Sequence, residues 1–183
     1  MAIKATIYKA ELSIADMDRG YYADHSLTLA RHPSETDERL MVRLLAFALH
    51  AHERLVSGKG LCVDDEPDLW RKSLGGVIEL WIDVGLPDPK WIRKACNRSE
   101  QVLVVNYGSR AADIWWAQNR EFLSRLGNLS VIALSAEDSK GLADMASRNM
   151  RLQCNIQDGQ AWLDDGQRSA HIEPLTLQRP AAH

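Results

Sequence analysis

A chain of 183 residues, 45% hydrophobic and 26% charged, has the length and ordinary composition of one packed domain, which excludes a disordered or fibrous polymer. Its formal net charge of −3 argues against a protein that coats nucleic acid through phosphate contacts alone, since such surfaces are basic. The longest apolar runs, such as Val102-Leu103-Val104-Val105, are far too short to cross a bilayer, and Lys4 and Lys9 interrupt the start too early for a secretory signal, so a soluble cytoplasmic protein with no membrane partner is expected.

Residues 3–31 predict two strands. Ala5 and Ile7, then Leu12 and Ile14, recur at period two, Asp16-Met17-Asp18-Arg19-Gly20 supplies turn chemistry, and Tyr21 to Ala30 returns with Leu27 and Leu29 on one side. The change of face between Ile7 and Leu12 suggests a bulge. Ser34 predicts a helix N-cap, with Asp37 three residues on as a weaker capping box. From Glu35 to about Leu55 the residues Leu40, Met41, Leu44, Leu45, Ala48 and Leu55 form a helical stripe, which Gly58-Lys59-Gly60 ends.

Two strands follow, roughly 67–72 and 77–84, joined through Ser73-Leu74-Gly75-Gly76. Their register is open at this stage. A Gly75-Gly76 turn pairs Asp68 with Asp83, whereas a Ser73-Leu74 turn pairs it with Glu79. Asp88-Pro89 predicts a helix start, N-cap then first helical position, for a short helix through Cys96. Val102 to Val105 reads as a central strand buried on both faces. Arg110 to Leu126 predicts a helix, Leu129 to Leu134 a strand, and Ala136 to about Arg148 a further helix. Leu152 to Ile156 and Ala161 to Leu163, around Asp158-Gly159, predict a closing hairpin. The polar tail, with Pro174 and Pro180, predicts loose packing. The expected plan is a single α/β domain spanning 1–183, with a core at about 34–135, an N-terminal strand pair at 3–31, a C-terminal hairpin at 151–164 and a tail at 165–183.

The chemistry concentrates on acids around the central hairpin. Asp68 follows Pro67, and Glu79 comes eleven positions later on an alternating segment whose Ile78, Leu80, Ile82 and Val84 share one face. Glu79, Trp81 and Asp83 therefore share the other face. A carboxylate after a proline and a second on a neighbouring strand is how a PD-(D/E)xK nuclease holds a divalent metal. Mg²⁺ or Mn²⁺ suits such oxygen ligands and would activate a water against a phosphodiester. Trp81 stands where that class has lysine, and indole carries no charge. Three Cys without a CxxC or a Cys/His cluster exclude a zinc finger, so Cys62, Cys96 and Cys154 read as buried hydrophobes. Trp115 and Trp116 lie on a helical stripe and read as core, while Trp81, on the acidic face with Asp83, is a candidate cleft wall.

Several segments carry a family resemblance. Ala5-Thr6-Ile7-Tyr8-Lys9-Ala10, Leu29-Ala30-Arg31-His32-Pro33-Ser34-Glu35-Thr36, Asp64-Asp65-Glu66-Pro67, Leu80-Trp81-Ile82, Gly85-Leu86-Pro87-Asp88, Ser109-Arg110-Ala111-Ala112 and Ile156-Gln157-Asp158-Gly159 resemble the YaeQ family of bacterial proteins, from near Ile3 to about Leu163. The resemblance implies a variant restriction-endonuclease-like (PD-(D/E)xK) core, a mixed sheet flanked by helices. It implies Asp68 and Glu79 as metal ligands, Glu38 on the first helix as a third acid, and a cation supplied from the following helix, where Lys90 and Lys94 share a face and Lys94 is preferred. The expected activity is Mg²⁺-dependent phosphodiester hydrolysis on nucleic acid. The rival expectation is a non-catalytic binding or regulatory protein on a degenerate nuclease scaffold, motivated by Trp81 and the acidic charge.

Overall fold

Strands and helices alternate along the computed structural model, which describes residues 4–60 and 65–182; Cys62 and Asp64 lie outside the described residues. In chain order the elements are β1 (Thr6–Asp16), β2 (Tyr21–Arg31), α1 (Asp37–Leu49), β3 (Leu55–Ser57), β4 (Leu69–Lys72), β5 (Ile78–Val84), α2 (Pro89–Arg98) and β6 (Ser99–Asn106). They continue with α3 (Ser109–Leu123), β7 (Leu129–Ala133), α4 (Ala136–Ala143), β8 (Asn149–Gln157), β9 (Gln160–Asp164), β10 (Ser169–Ile172) and β11 (Leu175–Gln178). The chain divides into two compact units, Met1–Leu49 with Glu137–Pro174, and His50–Ala136 with Leu175–His183.

The first unit carries a five-stranded mixed sheet in the order β10-β9-β8-β1-β2. The N-terminal strand pair and the C-terminal hairpin are parts of this one sheet, because β8 pairs with β1 in parallel from Lys9–Asn149 to Asp16–Ile156. The bulge expected in β1 is absent. Its register with β2 runs unbroken from Thr6–Arg31 to Asp16–Tyr21, since Tyr8 and Ala10 continue the inward set of Leu12 and Ile14, and Ile7 faces solvent at 42% exposure. Helix α1 begins later and ends sooner than its sequence suggests. Thr36, not Ser34, caps it, its hydroxyl accepting the Arg39 N–H, because the Ser34 hydroxyl is taken by His32 Nδ1 at 2.6 Å. Every residue from Leu40 to Ala48 is buried, so α1 is a core helix rather than an amphipathic one. Buried Glu35 anchors it, accepting from Arg43 Nε at 2.7 Å and Arg39 Nη1 at 3.0 Å, while Arg43 Nη2 also reaches the Ala30 carbonyl.

The second unit carries a six-stranded mixed sheet in the order β11-β7-β6-β5-β4-β3. Strands β5, β6 and β7 are parallel, joined by α2 and α3 as crossovers, and the outer strands are antiparallel. Asp88 caps α2 as expected, accepting from the Lys90 N–H at 2.8 Å with Pro89 in the first turn. Apolar residues Ile92, Ala95, Val102, Val104, Trp115 and Leu123 form the layer between the helices and the sheet. The tail is not loose: β10 and β11 add one edge strand to each sheet, with Ile172 wholly buried. Among the described residues no helix is long and apolar enough to cross a membrane.

Candidate functional site

Strand β5 is buried at every residue but Glu79, and its Trp81 lies in the apolar layer formed with α2 and α3. The acidic face inferred from alternation is therefore an interior face over most of its length. Trp81 is 0% exposed and belongs to the core, not to the wall of an open cleft. Crossover helices laid over that face override the half-exposed pattern read from alternation.

The register decides which acids meet. Leu69 pairs with Ile82 and Trp70 with Trp81, so the next step of the antiparallel ladder brings Asp68 to Asp83. This is the pairing of the Gly75-Gly76 alternative, but not its two-residue turn: the register shifts between Arg71 and Lys72, Lys72 pairs with Ile78, and the Ser73 N–H donates to the Val77 carbonyl across Leu74-Gly75-Gly76. Asp68 and Asp83 are buried at 4% and 7% exposure. Asp68 Oδ2 accepts the Val84 N–H at 2.8 Å. Asp83 Oδ2 accepts two indole N–H groups, Trp81 Nε1 at 2.8 Å and Trp91 Nε1 at 3.2 Å. Burial pushes the Asp83 carboxyl up to about 6; the Asp68 charge adds to the rise, and the two indole bonds and the Asp68 N–H oppose it.

Glu79 stands apart from this pair. It lies four residues from Asp83 along β5, about 13 Å at the usual strand rise, too far to share one ion with Asp68 at oxygen-ligand distances of about 2.1 Å. Its carboxylate is instead engaged by Arg71 Nε at 2.9 Å and Arg54 Nη2 at 3.3 Å. Desolvation alone would raise Glu79, but the Arg71 bond and the two guanidinium charges outweigh it and hold the group below the usual carboxylate range. The structure thus does not bring Asp68 and Glu79 together as a ligand pair. Glu38 is half-buried in the first turn of α1, in the first unit, whereas the other candidates belong to the second.

The cations of α2 face outward. Lys90 and Lys94 are exposed, and Lys94 Nζ pairs with Asp65 Oδ1 at 3.0 Å. That bond and the Lys94 charge hold Asp65 below its ordinary range. Arg98 donates to the Asp65 carbonyl and lies 5.2 Å from the Trp81 ring centroid. Trp70, Trp81 and Trp91 meet edge to face, with centroids 5.9 and 5.7 Å apart.

Two glycines first read as a helix stop shape the Asp68 side of the pair. Gly58 N–H donates to the Asp68 carbonyl and Gly60 N–H to that of Pro67. A Cβ on Gly58 would lie 2.2 Å from the Pro67 oxygen, and one on Gly60, at φ +47°, 2.7 Å from Asp68 Oδ1. The repeated glycine before Pro67-Asp68 was the available signal for this close approach. Trp91 left no signal, because its reach depends on how α2 lies on the sheet. Among the described residues no three His, Cys, Asp or Glu side chains form a metal-holding cluster.

Two mixed sheets flanked by helices, one of them holding a buried carboxylate pair, define a mixed α/β protein. The chain belongs to the family described as YaeQ protein, whose model matches residues 1–174. It is 48% identical over 181 residues to the uncharacterized protein YaeQ of Escherichia coli (strain K12), covering 99% of this chain and all of that one, and 46% identical to the Salmonella typhi counterpart. The fold matches the crystal structure of the YaeQ protein from Xanthomonas axonopodis pv. citri with a TM-score of 0.93 at 52% identity, over 96% of this chain and 99% of that one. It matches the YaeQ protein from Pseudomonas syringae with a TM-score of 0.91 at 35% identity, over 96% and 97% of the two chains.

Proposed function

We propose that this protein is a divalent-metal-dependent phosphodiester hydrolase acting on nucleic acid, on a variant PD-(D/E)xK core, with Asp68 and Asp83 as its metal-holding carboxylates. The observation that carries the reading is the antiparallel register that sets these two acids side by side at one end of a buried hairpin. The donor set fits a hard cation: Mg²⁺ or Mn²⁺ takes one or two carboxylates and keeps several waters. A bound ion would supply a water of lowered pKa and neutralise phosphate charge. Burial and the neighbouring Asp68 charge raise the cost of ionising Asp83, a cost that a dication relieves. The two indole N–H groups fix the Asp83 carboxylate, and the Val84 N–H fixes that of Asp68. Lys94, in an exposed and therefore weak pair with Asp65, can release it to meet a phosphate, with Lys90 one turn earlier on α2. Glu79 has no part in this version, since Arg54 and Arg71 hold it.

The test is Mg²⁺ or Mn²⁺ calorimetry together with cleavage of single- and double-stranded DNA and RNA by the full chain, beside Asp83→Asn and Lys94→Ala. Metal-dependent cleavage that Asp83→Asn abolishes, and that Lys94→Ala weakens by about tenfold or more, supports the hydrolase. A second reading, a non-catalytic binding protein, is favoured by the donors already bonded to the Asp83 carboxylate. Metal binding without cleavage by the folded wild type supports it. Neither binding nor cleavage leaves the acid pair a purely structural feature and overturns the metal site.

A further inference from the structure

A second site lies away from the carboxylate pair, between the last turns of α3 and the segment that follows β11. Gln178 Nε2 donates to the Leu123 carbonyl at 2.8 Å, and Ala181 N–H to the Gly127 carbonyl at 2.8 Å, so the chain after β11 is buttoned against the end of α3. The groove this leaves has a volume of about 580 Å³, within the range that holds a small organic ligand. Its apolar floor is Trp116, Leu126 and Leu177, which pack on the core from the outside. Arg120 from α3 and Arg179 from the chain after β11 stand on its rim. Neither guanidinium forms an ion pair among the described residues, while the one acid on the rim, Glu121, is matched by Arg125 at 3.8 Å. The groove therefore offers an indole, two aliphatic side chains and an excess of positive charge.

We propose that this groove binds a small planar organic anion, an aromatic ring carrying a carboxylate or phosphate, with the ring on Trp116 and the anionic group between Arg120 and Arg179. Guanidinium groups match the planar oxygens of either anion in two-pronged hydrogen bonds, and an indole face accepts a flat ring without demanding a particular heterocycle. The site is independent of the hydrolase reading, since no residue is shared.

The test is solution NMR of the full chain with indole Nε1–H and guanidinium Nε–H resonances assigned. The probes are benzoate and adenosine monophosphate, with benzamide and adenosine as their neutral counterparts. The expected result is a saturable shift of the Trp116 and Arg120 signals by at least one anion, and binding about tenfold or more weaker for its neutral partner. Arg120→Gln with Arg179→Gln, at two exposed positions, is expected to remove that preference while leaving the rest of the spectrum unchanged. Saturation by benzoate alone assigns a carboxylate ligand, and by adenosine monophosphate alone a phosphorylated one. No shift with any probe up to about 10 mM, well beyond specific affinities for ligands of this size, overturns the proposal. Equal shifts by charged and neutral partners, or an anion preference that survives the double variant, overturn it as well.

Discussion

A carboxyl removed from water beside a second carboxyl holds its proton more tightly than one in solution, and burial pushes Asp83 up to about 6. The sign of the consequence follows from proton counting. Between the ordinary aspartate value near 3.8 and about 6 the folded state binds a proton that the unfolded state has lost, so the stability this group supplies is present below that window and is lost as pH rises through about 6. The ionised form costs about 3 kcal/mol at neutral pH, at roughly 1.4 kcal/mol per unit. Asp83→Asn keeps an oxygen for the Trp81 and Trp91 indoles and removes the charge. Urea denaturation from pH 4 to 8 is expected to show Asp83→Asn more stable than wild type by about 1–3 kcal/mol at pH 7 and above, with the advantage vanishing near pH 4. A difference independent of pH, or a less stable variant at pH 7, refutes the raised pKa. The two acids themselves were legible in the sequence. Their pairing was legible only as one of two registers, and the route to it was not, because a shift between Arg71 and Lys72 sets the register in place of a two-residue turn.

Elements with a single period were readable and those set by their neighbours were not. The α2 cap at Asp88 follows from local chemistry that no packing contradicts, and β6 from its unbroken apolar run. Strand β5 misled, because alternation predicts one solvated face and the crossover helices cover it. Trp81 is a packed core residue: it is fully enclosed, packed against Trp70 and Trp91, and donates to Asp83. Trp81→Lys is expected to destabilise the protein by about 4 kcal/mol or more, the sum of a large-to-small cavity and a poorly solvated ammonium, and to cleave no faster than wild type. Thermal unfolding and the nuclease assay check both parts. A Trp81→Lys protein as stable as wild type, or one with faster metal-dependent cleavage than wild type, shows the position to be a working lysine slot.

Over the whole molecule, the chain leaves and re-enters each unit, so neither sheet is built from one continuous stretch. This is why strand positions were legible and the sheets were not. Nothing local to Lys9 or Asn149 announces that β1 and β8 lie side by side, since a parallel pair has no turn between its strands to fix the match. The tail misled for a related reason: its polar residues and prolines suit a loose end, yet alternate residues are enough for an edge strand with one buried face. In β10, Ala170 and Ile172 turn inward while Ser169 and His171 face out; in the chain of β11, Leu177 packs on the second core and Gln178 holds the end of α3. A chain ending at Asp164 therefore loses an edge strand from both sheets at once. Removing Ile172 alone creates a deficit of about 2–5 kcal/mol, comparable to much of the margin by which an ordinary domain stays folded. The truncated protein is expected to unfold at markedly lower urea concentration than the full chain, or to be recovered unfolded. Amide hydrogen exchange should show lost protection in β9, next to the missing β10, and in β7, next to the missing β11. A truncated chain within about 1 kcal/mol of the full one, with β7 and β9 equally protected, would show that the tail is an appendage and that each sheet closes without it.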